Sequence, residues 1–176
     1  IKLINSSRLM QIENNRLQVK KGNIIWIMGP TSSGKTTIAK TLTERLSNSK
    51  TPVWHYDGDE VRDLFGSQLS FESSSRLKVV KTLVHLVQKA SNKGHNVVIS
   101  ALTANEDARK LIKEQLLNLS IIYLDCPIDV CSKRDPKGLY KKAENGEIDT
   151  LIGCNSAYKK PEKIDLVLET AKNSVE

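Results

Sequence analysis

Aromatic residues, paired cysteines and long apolar runs are scarce in this sequence of 176 residues. Aromatic side chains make up 5% of the chain, so its core must rest mainly on Ile, Leu and Val. Cys126, Cys131 and Cys154 form no C-x-x-C pair, which argues against a disulfide framework and against a zinc site. The longest apolar run is far shorter than the ~18 residues that span a bilayer, and no segment resembles a secretory signal. We therefore expect a cytoplasmic protein with no membrane partner.

Blocks of like charge are absent as well, although the net charge is +7. Such an excess fits either a polyanionic partner, such as nucleic acid or a phosphorylated substrate, or lysine-rich solvated faces. The basic residues are scattered and no block reaches five like charges, so we expect no nucleic-acid partner. Binding of several phosphates at one site would account for part of the positive charge.

Apolar runs alternate with helical segments along the chain, whose length suits a single domain over residues 1–176. Compact apolar runs predict strands at 23–28, 52–56, 97–100, 121–125 and 165–168. Apolar residues at helical spacing predict helices at 35–46, around 77–87 and at 106–117. Strands that alternate with helices in this way predict an α/β fold, a parallel sheet with helices on both faces.

Two segments fall outside this alternation. Residues 1–21 are polar with weak apolar spacing, and we interpret them as an N-terminal arm or a short helix. Residues 136–161 are rich in Lys, Gly and Asn and poor in apolar periodicity. This composition indicates a mobile lid or a long loop.

A phosphate-binding motif lies between the first predicted strand and the first helix. Residues 29–36 read GPTSSGKT and match G-x-x-x-x-G-K-[ST] in full; we call them the phosphate loop. Glycines let the backbone N–H groups face phosphate oxygens, and the following helix adds its positive N-terminal end. We expect Lys35 to reach the β- and γ-phosphates and the Thr36 hydroxyl to ligate Mg²⁺. The loop alone does not distinguish a kinase from a GTPase or a motor ATPase.

Two carboxylates, Asp57 and Asp59, follow the second predicted strand. Ligands of open parallel sheets gather at the carboxyl ends of the strands, where these groups could hold Mg²⁺ and accept the proton of an attacking hydroxyl. A solvated acidic turn that caps the next helix is the alternative. Arg62 and Arg76 could bind an anionic acceptor or be ordinary surface arginines.

Four segments resemble the adenylyl-sulfate kinase family, which phosphorylates the ribose 3′-hydroxyl of adenosine 5′-phosphosulfate. They are the loop at 29–37, DGDEVR at 57–62, CSKRDPKGLYKKA at 131–143 and GEI at 146–148. Their order and spacing agree with the family over most of the chain, and the third string is the most diagnostic.

The resemblance implies a P-loop kinase fold with a lid, ATP as co-substrate with Mg²⁺, a small nucleotide as acceptor, and a homodimer. It implies catalytic roles for Lys35 and Asp59, of which Asp59 would engage the acceptor hydroxyl. The implied ATP-binding residues are Gly29, Pro30, Thr31, Ser32, Ser33, Gly34, Lys35, Thr36, Thr37 and Arg134. The implied metal ligands are Thr36 and Asp57, and the implied acceptor-binding residues are Asp59, Arg62, Phe71, Arg76, Leu102, Thr103, Lys137 and Leu151.

Departures from the family pattern concentrate on the acceptor pocket. Val79 stands where the family has an asparagine, and Leu151 where it has a phenylalanine that stacks on the acceptor purine. The loop at 101–105 is shorter than in the family, and Thr103 is the nearest candidate for its serine, proposed there as a phosphorylated intermediate. Glu144 replaces a basic residue.

These departures indicate a changed acceptor, because the ATP-binding motif is intact. A lost stack and a lost hydrogen bond, each worth about 1 to 3 kcal/mol, would weaken adenylyl sulfate binding roughly a hundredfold or more. We therefore interpret the chain as similar to the family branch that phosphorylates cytidine diphosphoramidate for capsule decoration. An authentic adenylyl-sulfate kinase is the alternative. The retained Lys35 and Asp59 disfavour a non-catalytic nucleotide-binding module, and sparse aromatics disfavour a polynucleotide kinase.

Overall fold

The structure, a computed structural model, describes residues 20–48, 52–66, 69 and 72–172. Nearly all of the predicted arm at 1–21 lies outside the described residues, and so does Phe71. Within the described ranges, no helix is both long enough and apolar enough to cross a membrane.

A parallel sheet of five strands forms the centre of the molecule, in the order β2-β3-β1-β4-β5. The strands are β1 (Ile24–Met28), β2 (Val53–Asp57), β3 (Asn96–Ser100), β4 (Leu119–Asp125) and β5 (Leu166–Glu169). Each strand lies where the sequence predicts it, with ends displaced by no more than two residues. The predicted parallel α/β sheet is therefore confirmed.

Helices connect these strands. Those in the described part of the chain are α1 (Lys35–Ser47), α2 (Gly58–Asp63), α3 (Ser73–Ser91), α4 (Glu106–Gln115), α5 (Ile128–Arg134) and α6 (Leu139–Glu144). The three long helices, α1, α3 and α4, confirm the predictions from apolar spacing. The other three have seven residues or fewer, which is too short for a helical period to be recognised in sequence.

Apolar residues cover both faces of the sheet, because alternate residues of a strand point to opposite sides. Trp26 and Met28 of β1 belong to the larger apolar cluster, whereas Ile27 packs on the other face with Ala39 of α1. Helix α3 supplies the larger cluster with its predicted apolar face: Val80, Leu83, Val84 and Val87. The sheet is thus fixed from both sides, and its strand ends form a rigid platform.

The segment at 136–161 is more ordered than the long loop that its composition predicts. It contains α6, and the Tyr140 hydroxyl donates a hydrogen bond to the Thr31 carbonyl oxygen at 3.1 Å. Side chains of the segment also join an apolar cluster made of Cys126, Cys131, Tyr140, Ala143 and Leu151. Sequence periodicity misses this packing because the apolar residues are few and widely spaced.

We expect Leu83→Ala to lower the free energy of unfolding by about 2 to 5 kcal/mol, because it opens a cavity beneath α3. Leu83 is completely buried in the larger cluster. Urea denaturation followed by circular dichroism would measure the change. Lys81→Ala, an exposed position on the same helix, is the matched control and should stay within about 0.5 kcal/mol of the parent. Equal costs for the two variants would contradict this packing.

Candidate active site

A cleft of about 1200 Å³ opens at the carboxyl ends of the strands. It is lined by the phosphate loop, the ends of β2 and β3, the loop at 101–105 and parts of the segment at 136–161. Pockets for one small ligand usually measure about 300 to 1,000 Å³. The cleft therefore has room for two small substrates side by side.

The phosphate loop takes its shape from two left-handed backbone conformations and from a close approach to β4. Gly34 has φ 95° and Ser32 has φ 63°, both in the left-handed region. A Cβ on Gly29 would approach the Leu124 carbonyl oxygen to 2.8 Å, so glycine allows the loop to lie close to β4. Helix α1 begins at Lys35, within the phosphate loop, without a side-chain cap, which leaves its first N–H groups available to a phosphate.

Lys35 and Ser33 present polar groups to the space that phosphates would occupy. Lys35 Nζ donates to the Pro30 carbonyl oxygen at 2.6 Å. Burial lowers the pKa of Lys35 to about 8, although the charges of Asp59 and Asp57 oppose this shift. The Ser33 hydroxyl oxygen is buried and has no hydrogen-bond partner among the described residues. Phosphate oxygens would satisfy both groups.

The Asp57 carboxylate accepts hydrogen bonds from three donors on different parts of the chain. Its Oδ2 accepts from the Thr36 and Ser100 hydroxyls, each at 2.7 Å, and its Oδ1 accepts from the Asp59 N–H at 2.8 Å. Burial by itself would raise the pKa of Asp57, but these hydrogen bonds outweigh burial and hold it below its ordinary value. The carboxylate is therefore ionised at neutral pH. The Ser100 hydroxyl also forms a hydrogen bond with His55 Nε2, at 2.9 Å.

Thr36 and Asp57 are suited to hold Mg²⁺. Both offer oxygen ligands, which this ion prefers, and the two oxygens lie 2.7 Å apart beside the phosphate loop. Nucleotide sites usually bind Mg²⁺ through one or two protein ligands, while phosphates and water complete the shell. The ionised Asp57 and the neighbouring hydroxyl therefore fit the ion that the sequence predicts.

Asp59, the predicted catalytic carboxylate, lies in the first turn of α2 with a side chain that is 65% exposed. Lys137 Nζ, from the segment at 136–161, forms an ion pair with Asp59 Oδ2 at 2.6 Å. Burial by itself lowers the pKa of Lys137, but the hydrogen bond to Asp59 and its charge raise it above its ordinary value. The structure thus joins two residues that sequence analysis assigned to the acceptor side.

Two guanidinium groups, Arg62 of α2 and Arg76 of α3, line the same cleft. Arg76 Nη2 donates to the Thr150 carbonyl oxygen at 2.6 Å. Burial, followed by the positive charge of Arg62, lowers the pKa of Arg76 to about 10. Burial also lowers the pKa of Arg62. An anionic group placed between them would favour both charged forms and would be bound in return.

Val79, Leu102 and Leu151 give the cleft an apolar wall. Val79 and Leu151 are buried, and neither side chain can form a hydrogen bond. Thr103 also lines the cleft, but its hydroxyl oxygen accepts a hydrogen bond from the buried Trp26 Nε1 at 2.9 Å. The Thr103 hydroxyl is thus engaged with the core, where it is poorly placed to take up a phosphoryl group.

Arg134, the predicted neighbour of the ATP base, lines the cleft and donates through Nη2 to the Thr170 carbonyl oxygen at 2.6 Å. The Thr170 hydroxyl donates to the Ser33 carbonyl oxygen at 2.9 Å, which ties the end of β5 to the phosphate loop. Sequence analysis missed Thr170 and Ser100. Ser100 had a detectable signal, since it is a polar residue that ends a buried strand beside Asp57. Thr170 belongs to no motif.

The cleft brings together nearly all of the predicted site residues that the structure describes. Gly29 and Pro30 begin the phosphate loop just outside the lining, and Phe71 lies outside the described residues. The predicted residues that line the cleft are Thr31, Ser32, Ser33, Gly34, Lys35, Thr36, Thr37, Asp57, Asp59, Arg62, Arg76, Leu102, Thr103, Arg134, Lys137 and Leu151.

We expect Ser100→Ala to lower the free energy of unfolding by about 1 to 3 kcal/mol, because a buried carboxylate loses a hydrogen bond. A carboxyl group with a lowered pKa stabilises the fold above its unfolded-state pKa of about 3.9. That contribution is lost as the pH falls through the lower folded-state pKa. The cost of Ser100→Ala should therefore shrink between neutral and strongly acidic pH, as measured by urea denaturation.

Ser91→Ala is the control for this prediction. Ser91 Oγ donates to the Gly22 carbonyl oxygen at 2.9 Å, so it is also a buried serine, but its acceptor is neutral. Its cost should not change with pH. The account of Asp57 fails if both variants show the same pH dependence.

Comparison with known proteins agrees with this geometry. The family described as adenylylsulphate kinase matches residues 21–169. The curated adenylyl-sulfate kinase of Clostridium acetobutylicum is 33% identical over 174 residues, which cover 97% of this chain and 86% of that protein. The probable adenylyl-sulfate kinase of Archaeoglobus fulgidus is 35% identical over 150 residues, covering 85% of this chain and 97% of that protein.

Solved structures give the same result. The Mycobacterium tuberculosis APS kinase CysC in complex with AMPPNP and APS aligns with a TM-score of 0.80 at 30% identity. The alignment covers 88% of this chain and 91% of that chain. The chain therefore belongs to the adenylylsulphate kinase family, and it is an ATP-dependent kinase that transfers phosphate to a hydroxyl group.

Proposed function

We propose that the protein transfers the γ-phosphoryl group of ATP to the ribose 3′-hydroxyl of a small nucleotide with an anionic 5′ group, and that this nucleotide is adenylyl sulfate. The observation that carries the proposal is that one cleft combines Lys35, Asp57 and Asp59 with Arg62 and Arg76. The names of the curated relatives, and the APS in the Mycobacterium tuberculosis structure, favour adenylyl sulfate as acceptor.

On the ATP side, Lys35 and the N–H groups of the phosphate loop bind the β- and γ-phosphates, and Arg134 lies near the base. Lys35 leaves the Pro30 carbonyl oxygen for these phosphates, whose negative charge favours its protonated form despite burial. Thr36 and Asp57 would hold Mg²⁺, which would supply positive charge that neutralises the phosphates.

On the acceptor side, Asp59 accepts the proton of the attacking hydroxyl. The acceptor oxygen forms a bond to the γ-phosphorus, and the bond from that phosphorus to the oxygen bridging the β-phosphate breaks, so that ADP leaves with the electron pair. Lys137 contacts only Oδ2 of Asp59, so Oδ1 is the oxygen that accepts the proton. The phosphates of ATP offer Lys137 a new anionic partner. Arg62 and Arg76 hold the anionic 5′ group.

The apolar wall supports a second candidate acceptor, cytidine diphosphoramidate, used in capsule modification. Val79 offers no hydrogen bond and Leu151 no aromatic stack to an acceptor base. A pyrimidine is smaller than a purine and depends less on such a stack. Phosphoryl transfer to this second candidate would use the same residues of the same cleft. Only the base that contacts Val79 and Leu151 would differ.

Assembly and location extend the proposal. Resemblance to the family supports a homodimer, and the need for ATP supports a cytoplasmic location.

We expect the protein to phosphorylate adenylyl sulfate in a coupled assay that offers Mg²⁺-ATP with this acceptor or with cytidine diphosphoramidate. Asp59→Asn should lower kcat by about a hundredfold or more, because the proton acceptor is lost. Asp63→Asn, an exposed carboxylate on the same helix, is the matched control and should retain activity.

Each other outcome selects a different function. A strong preference for the cytidine compound would replace adenylyl sulfate with the second candidate. Turnover of neither acceptor would contradict the proposal and favour a non-catalytic module. Salt-sensitive phosphorylation of oligonucleotides would indicate a polynucleotide kinase.

We expect Leu151→Phe to lower the KM for adenylyl sulfate by about tenfold or more, because an aromatic ring stacks on the purine. The KM for ATP should not change, since Leu151 belongs to the acceptor wall. Leu139→Phe makes the same change at another position of the cleft lining and serves as the control. If both variants alter the two KM values alike, Leu151 has no special role in acceptor choice.

A further inference from the structure

A buried arginine outside the cleft lining connects two walls of the acceptor side. Arg109 of α4 is 1% exposed. Its Nε donates to the Thr103 carbonyl oxygen at 2.8 Å, its Nη1 to Glu106 Oε1 at 2.7 Å, and its Nη2 to the Lys159 carbonyl oxygen at 2.6 Å. Arginine is rarely buried unless its donors are satisfied, and here they hold two loops and one carboxylate in fixed positions.

Tyr158 makes a second connection between the same two stretches of chain. Its hydroxyl donates to the Leu102 carbonyl oxygen at 3.0 Å. Its ring lies 5.3 Å from the Arg109 guanidinium carbon and stacks on Tyr123 with centroids 6.0 Å apart. Arg109, Tyr158 and Tyr123 form one packed unit beneath the loop at 101–105.

This unit holds backbone that is otherwise unfavourable. Thr103 has φ 42°, a left-handed conformation that costs energy for a residue with a branched side chain. The carbonyl oxygens of Leu102 and Thr103 are both engaged from outside the cleft, while the residues themselves line it. The shape of this wall therefore depends on residues that do not touch the cleft.

We propose that Arg109 and Tyr158 are positioning residues for the acceptor. They clamp Leu102 and Thr103 to residues 158 and 159, near the end of the segment at 136–161, so that the acceptor wall keeps its shape. The proposal rests on the proposed function above. The ATP side is fastened separately, by Tyr140 to Thr31 and by Thr170 to Ser33, so loosening the clamp leaves that side in place.

Tyr158→Phe tests the clamp with the smallest change, because it removes one hydrogen bond and keeps the ring. We expect the KM for the acceptor to rise about threefold to tenfold, the usual effect of one lost hydrogen bond, and the KM for ATP to stay within about twofold. Arg109→Lys should raise the acceptor KM further, since an ammonium cannot hold three acceptors in a planar fork. A merely structural role would lower stability without separating the two KM values.

Lys113→Met is the matched control. Lys113 lies on the same helix and donates to the Glu162 carbonyl oxygen at 2.8 Å. This hydrogen bond also joins α4 to the chain near residue 159, but it does not involve the loop at 101–105. Its KM values should match those of the parent. Equal rises in both KM values for Tyr158→Phe, or the same rise for Lys113→Met, would overturn the clamp.

Hydrogen exchange at the amides of residues 101–105 separates this inference from the proposed function. Tyr158→Phe should speed exchange there, and Lys113→Met should not, whether or not an acceptor is known. An inactive parent protein with unchanged exchange in Tyr158→Phe would refute both ideas. An active parent with unchanged exchange and an unchanged acceptor KM would refute the clamp alone.

Discussion

The buried Asp57 carboxylate is the interaction on which the site depends, because it joins parts of the chain that arrive from three directions. The Thr36 hydroxyl comes from the start of α1, the Ser100 hydroxyl from the end of β3 and the Asp59 N–H from the start of α2. These bonds keep the pKa of Asp57 low despite burial. Asp57 is thus ionised at neutral pH and lies beside the phosphate loop, so the group that joins these three elements also faces the proposed nucleotide site.

Two of the lysines that line the cleft, Lys35 and Lys137, are held by oxygen atoms of the protein. Lys35 donates to the Pro30 carbonyl oxygen, and Lys137 pairs with Asp59, each at 2.6 Å. Lys35 is thus held by a neutral carbonyl and Lys137 by a carboxylate. Phosphates compete well for Lys35 because charge-assisted hydrogen bonds to anions are stronger than those to a neutral carbonyl.

On the acceptor side, some features can be recognised in the sequence and others only in the structure. Val79 and Leu151 were recognised in the sequence as departures from the pattern of the family that it resembles, and both line the cleft. Arg109 belongs to no motif, yet it is buried and contacts Lys159, 50 residues away. Thr103 looked like a candidate hydroxyl for chemistry, but a hydrogen bond from Trp26, 77 residues away, holds its hydroxyl in the core.

The sequence by itself determined the phosphate loop, the strand and helix around it, and the parallel sheet. These rest on local spacing: glycines within eight residues, apolar runs of strand length and helical periods. Only the tertiary structure decided that Ser100 completes the Asp57 network, that Lys137 reaches Asp59, and that the segment at 136–161 folds onto its own apolar cluster. The reason is physical. Ser100 and Asp57 lie 43 positions apart, and Lys137 and Asp59 lie 78 positions apart. No local sequence pattern encodes which distant donor a carboxylate will contact.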